Sequence, residues 1–276
     1  MPLSTHAPPA RLIIDGPGSG SWNMAVDAAI LKSLALGDSP TLRFYRWSRP
    51  TLSLGYFQSL AERSRHRESH SIDVVRRATG GGAIVHDCEL TYSLTMAASA
   101  RSTGGSPWLY QTVHHAFIGA LHSEGIIASR YGCPPAVRTG PEPFLCFQRR
   151  TPDDVVVSGY KILGSAQRRG ANGLLQHGSL LLAASSYAPQ LPGLVDLVGK
   201  SVTGQGDGSA RLVQRSNWQD AVSSGLGQRL VAKLTAAIAR EFKWDWRPGK
   251  MDPTEHALAE RIEGERFSQL SWTGRK

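Results

Sequence analysis

The sequence predicts an α+β domain in which a mixed or antiparallel sheet is packed by helices, and three observations carry that prediction. Long segments with apolar residues at helical spacing, such as 218–242 with Leu226, Leu230, Leu234 and Ile238, stand among several short apolar or alternating runs. The short runs are joined by brief polar stretches in the manner of hairpins, and they do not alternate with helices as a doubly wound parallel sheet requires. Finally, 276 residues, 41% hydrophobic and 19% charged, can bury a sizeable core without disulfides or metal.

Taken in order, residues 1–10 hold three prolines and no periodic pattern, and read as a disordered lead. A strand over Arg11–Asp15 follows, then a turn over Gly16–Gly20. Ser21 reads as the cap of a helix to Leu36 that sets Met24, Ala28, Leu31 and Ala35 on one face. Thr41–Trp47 and Thr51–Tyr56 flank Ser48-Arg49-Pro50 as two strands joined by a short loop, and residues 60–71 read as a polar helix. Strands over Val74–Arg76, Ala83–His86 and Leu90–Met96 precede a helix from Pro107 to Gly125, buried through Val113, Phe117, Ala120 and Leu121. Cys133–Pro143 holds four prolines and must be loop. Asp154–Val157, Lys161–Arg168 and Leu174–Leu182 supply further strands, and glycine-rich Ser201–Ser209 reads as a surface excursion before the long 218–242 helix. Asp252-Pro253-Thr254-Glu255 opens a last helix with a cap, a proline at the first helical position and an acid at the third.

Composition narrows the partners. Lys and Arg total 31 against 22 Asp and Glu, a net charge of +9 that suits nucleic acid, anionic lipid or an acidic protein. No apolar run reaches 18 residues, and the N-terminus lacks the charged-then-apolar pattern of a secretory signal, so the expectation is a cytoplasmic protein without a membrane span. Three cysteines, with no Cys-x-x-Cys, argue against a disulfide framework or structural zinc.

Three stretches could carry chemistry. In Arg76-Arg77-Ala78-Thr79-Gly80-Gly81-Gly82, successive glycines let backbone N–H groups approach a ligand, and the arginines offer charge to an anion or polarised carbonyl; a glycine hairpin with solvated arginines is the plainer reading. No Lys-Ser/Thr follows, so it is not a Walker loop. In Gly159–Arg168, Lys161 sits among apolar and small residues, where a lysine snorkels or holds its charge beside a reactive atom. In Leu174–Leu182, Gln176-His177-Gly178-Ser179 interrupts apolar text as at a pocket-lining strand, although a satisfied core histidine gives the same pattern.

Together, Arg76-Arg77 with Gly80-Gly81-Gly82 and His86, Lys161 with Gly164-Ser165-Ala166-Gln167, and Gln176-His177-Gly178-Ser179-Leu180-Leu181 resemble the lipoate-protein ligase and octanoyltransferase superfamily, which also contains biotin-protein ligases. Asn23-Met24-Ala25 with Asp27, Trp47 with Pro50, and Gly55-Tyr56 with Gln58 resemble further blocks of that family in the same order. The resemblance implies the biotin/lipoate protein ligase catalytic fold, class II synthetase-like, over 11–247, with 248–276 packed on it as a C-terminal helix and tail. It also implies substrate contacts from Arg76, Arg77, Gly80, Gly81, Gly82, His86, Gly164, Ser165, Ala166, Gln167, His177, Gly178 and Ser179.

Within the superfamily, Glu142-Pro143-Phe144-Leu145-Cys146-Phe147, fifteen residues before Lys161, is similar to the segment that carries the acyl cysteine of the cysteine-dependent octanoyltransferases. His86-Asp87 with Glu89–Ser93 points to the same branch. The implied reaction moves octanoate from acyl carrier protein through a thioester on Cys146 to a lysine of a lipoyl domain, with no cofactor. The acceptor would be the H protein of glycine cleavage or a 2-oxoacid dehydrogenase subunit. Gly82 stands where many transferases have arginine, which keeps as alternative an ATP- and magnesium-dependent ligase forming lipoyl-AMP.

Independent chemistry suits a Cys–Lys pair. A free thiol of pKa ~8.5 is only about 3% thiolate at pH 7, and a nearby ammonium lowers that pKa. Backbone donors of Gly80–Gly82 or Gly164–Ser165 are candidates for the oxyanion site. Cys88 reads as a small buried residue. Arg63, Arg65, His66, Arg67 and His70 form a basic cluster, but no interleaved aromatics accompany them, so neither nucleic acid nor membrane is expected as partner.

Overall fold

Strands drawn from almost the whole length of the chain meet in one sheet. The computed structural model describes residues 9–34, 38–97, 107–133, 140–198 and 225–275. Strand β1 (Pro9–Gly18) begins before the predicted strand and continues through Gly16 to Gly18, so the expected lead is shortened and residues 1–8 lie outside the described residues. Ser19, not Ser21, caps α1 (Gly20–Ser33), its hydroxyl accepting the Trp22 N–H at 3.1 Å. Met24 and Leu31 of the expected face are buried, Ala28 is only half-buried and Ala35 is not among the described residues.

Strands β2 (Thr41–Trp47) and β3 (Thr51–Leu54) form where expected but not as a hairpin, because they enter different sheets. Residues 60–71 fold as two 3₁₀ turns, Leu60–Arg65 and Arg67–Ser71, the first fixed by a Ser59–Glu62 capping box. Next come β4 (Asp73–Arg76), β5 (Ile84–His86), β6 (Glu89–Ala97), α2 (Pro107–His122) and β7 (Ser129–Arg130). A 3₁₀ turn over Cys146–Gln148 leads to β8 (Val155–Val157), β9 (Tyr160–Arg169), β10 (Gly173–Leu181) and α3 (Leu194–Val198). The glycine-rich 201–209 excursion, the 218–224 start of the predicted long helix and the 134–139 part of the proline loop lie outside the described residues. The chain then forms α4 (Leu226–Phe242), β11 (Asp245–Pro248), α5 (Pro253–Ile262) and α6 (Leu270–Thr273). The predicted Asp252–Glu255 capping box is present.

The large sheet has the order β11-β1-β2-β6-β10-β9-β8-β7, and β4-β3-β5 form a second. The β1 pairings with β2 and β11 are parallel, whereas those from β2 through β6, β10, β9 and β8 to β7 are antiparallel. The strand period of two divides side chains between the faces. Leu42 and Phe44 of β2, with Leu90, Tyr92 and Leu94 of β6, pack under α2 and α4, against Phe117, Leu121, Leu230 and Leu234. Tyr45 and Trp47 point the other way and pack with Met24 and Ala25 of α1, with α5 beyond. That second face carries the polar residues. Among the described residues no helix is long and apolar enough to cross a membrane.

Candidate active site

Cys146 is fixed by a short bridge between its own segment and the exit of the glycine loop. The Cys146 N–H donates to the Ala83 carbonyl at 2.7 Å, and the Ala83 N–H donates to Phe144 at 3.0 Å. The thiol is half-buried. Lys161, near the start of β9, is 6% exposed and brings its Nζ to 3.9 Å from Cys146 Sγ. The same ammonium lies 2.9 Å from Oδ2 of Asp154, which is fully buried. Gly164 makes this path possible, because a Cβ there would stand 2.5 Å from Lys161 Cε. Asp154 is held in turn: Oδ2 accepts the Thr151 N–H at 2.7 Å and Oδ1 accepts the Tyr110 hydroxyl at 3.2 Å. Asp154 is not marked as a site residue by the sequence. Its only signal was an acid directly ahead of the apolar Val155–Val157 run.

The two adjacent arginines separate. Arg77 is buried and donates to the carbonyls of Gly80 and Gly82, both at 2.7 Å, and to Ser53 O at 3.0 Å. It shapes the glycine loop while its charge faces Cys146. Burial pulls its pKa down to about 10, with a Cys146 thiolate acting in the opposite direction. Arg76, expected to meet substrate, is instead a clamp. Its guanidinium donates to the carbonyls of Gly55 at 2.9 Å, Gln58 at 2.5 Å and Thr273 at 2.7 Å, and is fully buried. Gly81 adopts φ +94°, which favours glycine, and Gly55 lies so close that an added Cβ would be 1.9 Å from the Gly81 carbonyl oxygen.

Behind the glycine loop lies a narrow cavity bordered by Cys146, Arg77, Gly80 and Gly81 and walled by Met24, Tyr45, Trp47 and Ile84. His86 and His177 line it, and both have partners. The His86 ring stacks on Trp47 at 3.8 Å between centroids, with Nδ1 2.5 Å from Glu89 Oε1 and Nε2 2.7 Å from Ser53 Oγ. Burial lowers its pKa, with Glu89 acting in the opposite direction. His177 Nε2 sits 2.7 Å from Thr79 Oγ1, with Nδ1 3.4 Å from Asp27 Oδ2. The Gly164-Ser165-Ala166-Gln167 stretch divides by strand alternation. Gly164 and Ala166 border the cavity beside Ser179 and His177, their partners in β10. The Ser165 hydroxyl lies 2.7 Å from both Tyr92 Oη and His114 Nε2, and Gln167 donates to Gln176 at 2.8 Å. Ser165 thus borders the cavity while its hydroxyl is tied into an internal network, and the Gln167 side chain serves a hydrogen bond outside the cavity lining. Gly178 belongs to the same arrangement, since a Cβ there would lie 2.4 Å from Ser165 Oγ.

The other cysteines are poor nucleophiles or remote. Burial, with the charge of Asp87, pushes the Cys88 thiol up to about 12, and Cys133 is exposed away from the cavity lining. The basic cluster is largely consumed internally: Arg63 donates to Ile72 O at 2.7 Å, Arg65 donates to Glu142 O at 2.7 Å, and His66 is buried. No group of three metal-ligating side chains occurs among the described residues.

Residues 19–198, which include Cys146, Lys161 and the whole glycine loop, match the family described as the lipoyl protein ligase A/B catalytic domain. The chain belongs to that family. Among lipoyl ligase A/B relatives, octanoyltransferase LipM of Kyrpidia tusciae is 37% identical over 179 residues, 62% of this chain, and the chain spans 65% of that relative's length. Octanoyltransferase LipM of Brevibacillus brevis is 29% identical over 96% of this chain and 99% of its own. A bipartite lipoate protein ligase of Thermoplasma acidophilum, described with its E2 lipoyl domain, superposes with a TM-score of 0.66 at 23% identity, covering 97% of this chain and 96% of that one. The lipoate ligase fold is therefore the α+β arrangement expected from the sequence.

Proposed function

We propose that the protein is an octanoyltransferase that carries its acyl group on Cys146, the activity named for the LipM relatives. The observation that carries this reading is the ammonium of Lys161 at 3.9 Å from Cys146 Sγ, inside a family whose catalytic domain the chain shares. Opposite charge at that range favours the thiolate. The thiolate attacks the carbonyl of an octanoyl thioester on acyl carrier protein. A C–S bond to Cys146 forms, the C–S bond to the carrier breaks, and the carrier thiolate takes up a proton. A neutral lysine amine of a lipoyl domain then attacks the enzyme thioester. A C–N bond forms, Cys146 leaves as thiolate, and the amine's lost proton balances the one gained by the carrier. Thioester exchange is nearly isoenergetic and amide formation runs downhill, so this cycle needs no ATP. Residues 11–247 with the 248–276 tail act in it as one catalytic unit.

The test is intact mass after incubation with octanoyl-acyl carrier protein in the absence of ATP. The wild-type chain should gain one octanoyl group that hydroxylamine removes. Cys146→Ala should gain none, whereas Cys88→Ala and Cys133→Ala should still be acylated. Full transfer by Cys146→Ala, or use of free lipoate with ATP in place of the carrier thioester, would return the ligase reading.

A further inference from the structure

Next to the acyl cavity, and sharing Met24 and His177 with it, a broad groove opens between α1, the Arg168–Asn172 end of the β9–β10 hairpin and the 262–275 tail. Three guanidiniums gather there on two aromatic rings. Arg168 and Arg275 lie over Tyr56, 5.6 and 4.3 Å from its centroid, and Arg266 and Arg275 lie over Trp272 at 4.1 and 4.5 Å. Stacking occupies the guanidinium faces and leaves the in-plane N–H donors directed outward. Among the described residues few of those donors are used: Arg168 gives one to Ala78 O at 3.2 Å and Arg275 one to Tyr56 Oη at 2.7 Å. None of the three arginines forms an ion pair among the described residues. Of the two acids bordering the groove, Asp27 is committed to Arg43 at 2.9 Å and Glu265 is exposed. The charges burden one another, since burial and then the Arg168 and Arg275 charges lower the Arg266 pKa. Lys32 adds a further cation to the lining.

A cluster of like charges without a counterion costs stability unless a ligand supplies the anion. Planar N–H edges suit a phosphate, which takes two donors from one guanidinium. We infer that this groove holds the phosphodiester of a phosphopantetheine arm whose thioester end delivers the acyl group to Cys146. The inference rests on the transferase reading above and names how that site recognises its donor. A narrow linear arm suits the continuity between groove and cavity along Met24 and His177.

The experiment compares Cys146 acylation by octanoyl-pantetheine, octanoyl-phosphopantetheine and octanoyl-phosphopantetheine attached to the carrier. Wild-type protein should prefer both phosphorylated donors in kcat/KM. Arg266→Gln with Arg275→Gln should cut that preference by about tenfold or more, chiefly through KM, the loss expected for charge-assisted hydrogen bonds; Arg→Lys at both positions should restore part of it. Three results overturn the inference: no preference in wild type, a preference unchanged in the double variant, or a loss with the carrier but not with the free phosphorylated arm. The last would mean that the arginines read the carrier's protein surface. If no thioester acylates wild-type Cys146, the transferase reading fails separately. Calorimetric titration with phosphopantetheine then decides the groove, with binding by wild type and at least about tenfold weaker binding by the double variant as the expected result.

Discussion

Lys161 stands between two groups that pull its charge in different directions. Asp154 pairs with it, and in the proposed transfer Cys146 uses it. Replacing Lys161 by Met keeps the length and removes the charge, so the alkylation profile of Cys146 with iodoacetamide should move to higher pH. Asp154→Asn should move the profile the other way, because the ammonium's field on the thiol is no longer offset. It should also cost about 3–5 kcal/mol of stability in denaturant titrations, since it strands a buried cation. Profiles that shift together, or not at all, would remove the electrostatic role of the pair. Cys146 and Lys161 were legible because the sequence around each resembles family blocks. Asp154 was not, because its role exists only once β8 folds back on β9 and sets Val156 opposite Lys161. The roles of Arg76 and Arg77 were hidden for a similar reason: adjacent residues of one strand end point to different surroundings.

At the scale of elements, the glycine loop is set by its neighbours more than by its own sequence. Arg77 ties it from within, and Gly55 presses on it from the β3 end. Gly55→Ala should destabilise the fold by about 1–3 kcal/mol, because a Cβ there meets backbone that cannot swing aside. It should also slow Cys146 acylation by moving Gly81. Gly16→Ala is the control, since nothing lies within 4 Å of the added carbon, and it should leave both unchanged. Equal effects from the two substitutions would argue that strand entropy, not contact with Gly81, sets the cost. Most strands and helices were readable from periodicity and caps. The β2–β3 pairing was misread because Ser48-Arg49-Pro50 looks like a hairpin turn, whereas the choice of sheet is made by distant partners: β6 for the first strand, β5 and β4 for the second. The 60–71 segment became two 3₁₀ turns: Ser59 starts the first, and the His66 N–H on Arg63 O and the Ile72 N–H on Ser69 O close the first and second.

Across the whole molecule, buried histidines make stability depend on pH. Gln176 donates to Tyr92, which can donate to Ser165, which can donate to His114 Nε2, while His114 Nδ1 reaches Asp153 O at 2.6 Å. This chain fixes a neutral ring, and burial lowers the His114 pKa to about 4. A histidine whose folded pKa lies below its unfolded value of about 6.5 leaves stability intact above that value; the contribution is lost as pH falls toward 4. Urea titrations should show stability dropping across that window by about 1.4 kcal/mol per pH unit for each such histidine. His114→Gln should flatten the slope, and an unchanged slope would exclude His114 as its source. The basic surplus was legible from composition, but its distribution was not: Arg63, Arg65 and Arg76 bond the chain's own carbonyls, while Arg168, Arg266 and Arg275 converge only after folding. The Arg76 clamp has a consequence in time. Its carbonyl partners at Trp272 and Thr273 lie 196 and 197 residues further along, and β1 has its β11 neighbour, Pro9 opposite Asp245, near the same end. During synthesis the ribosome releases nearly the entire sheet before it releases either partner. Until that last segment emerges, a nascent chain therefore carries an open β1 edge and an Arg76 guanidinium bonded only to nearby carbonyls such as those of Gly55 and Gln58. A chain that stopped before Trp272 would keep Cys146, Lys161 and the Arg77 ties of the glycine loop, but would lose the Thr273 anchor through which Arg76 holds Gly55 and Gln58 to the tail.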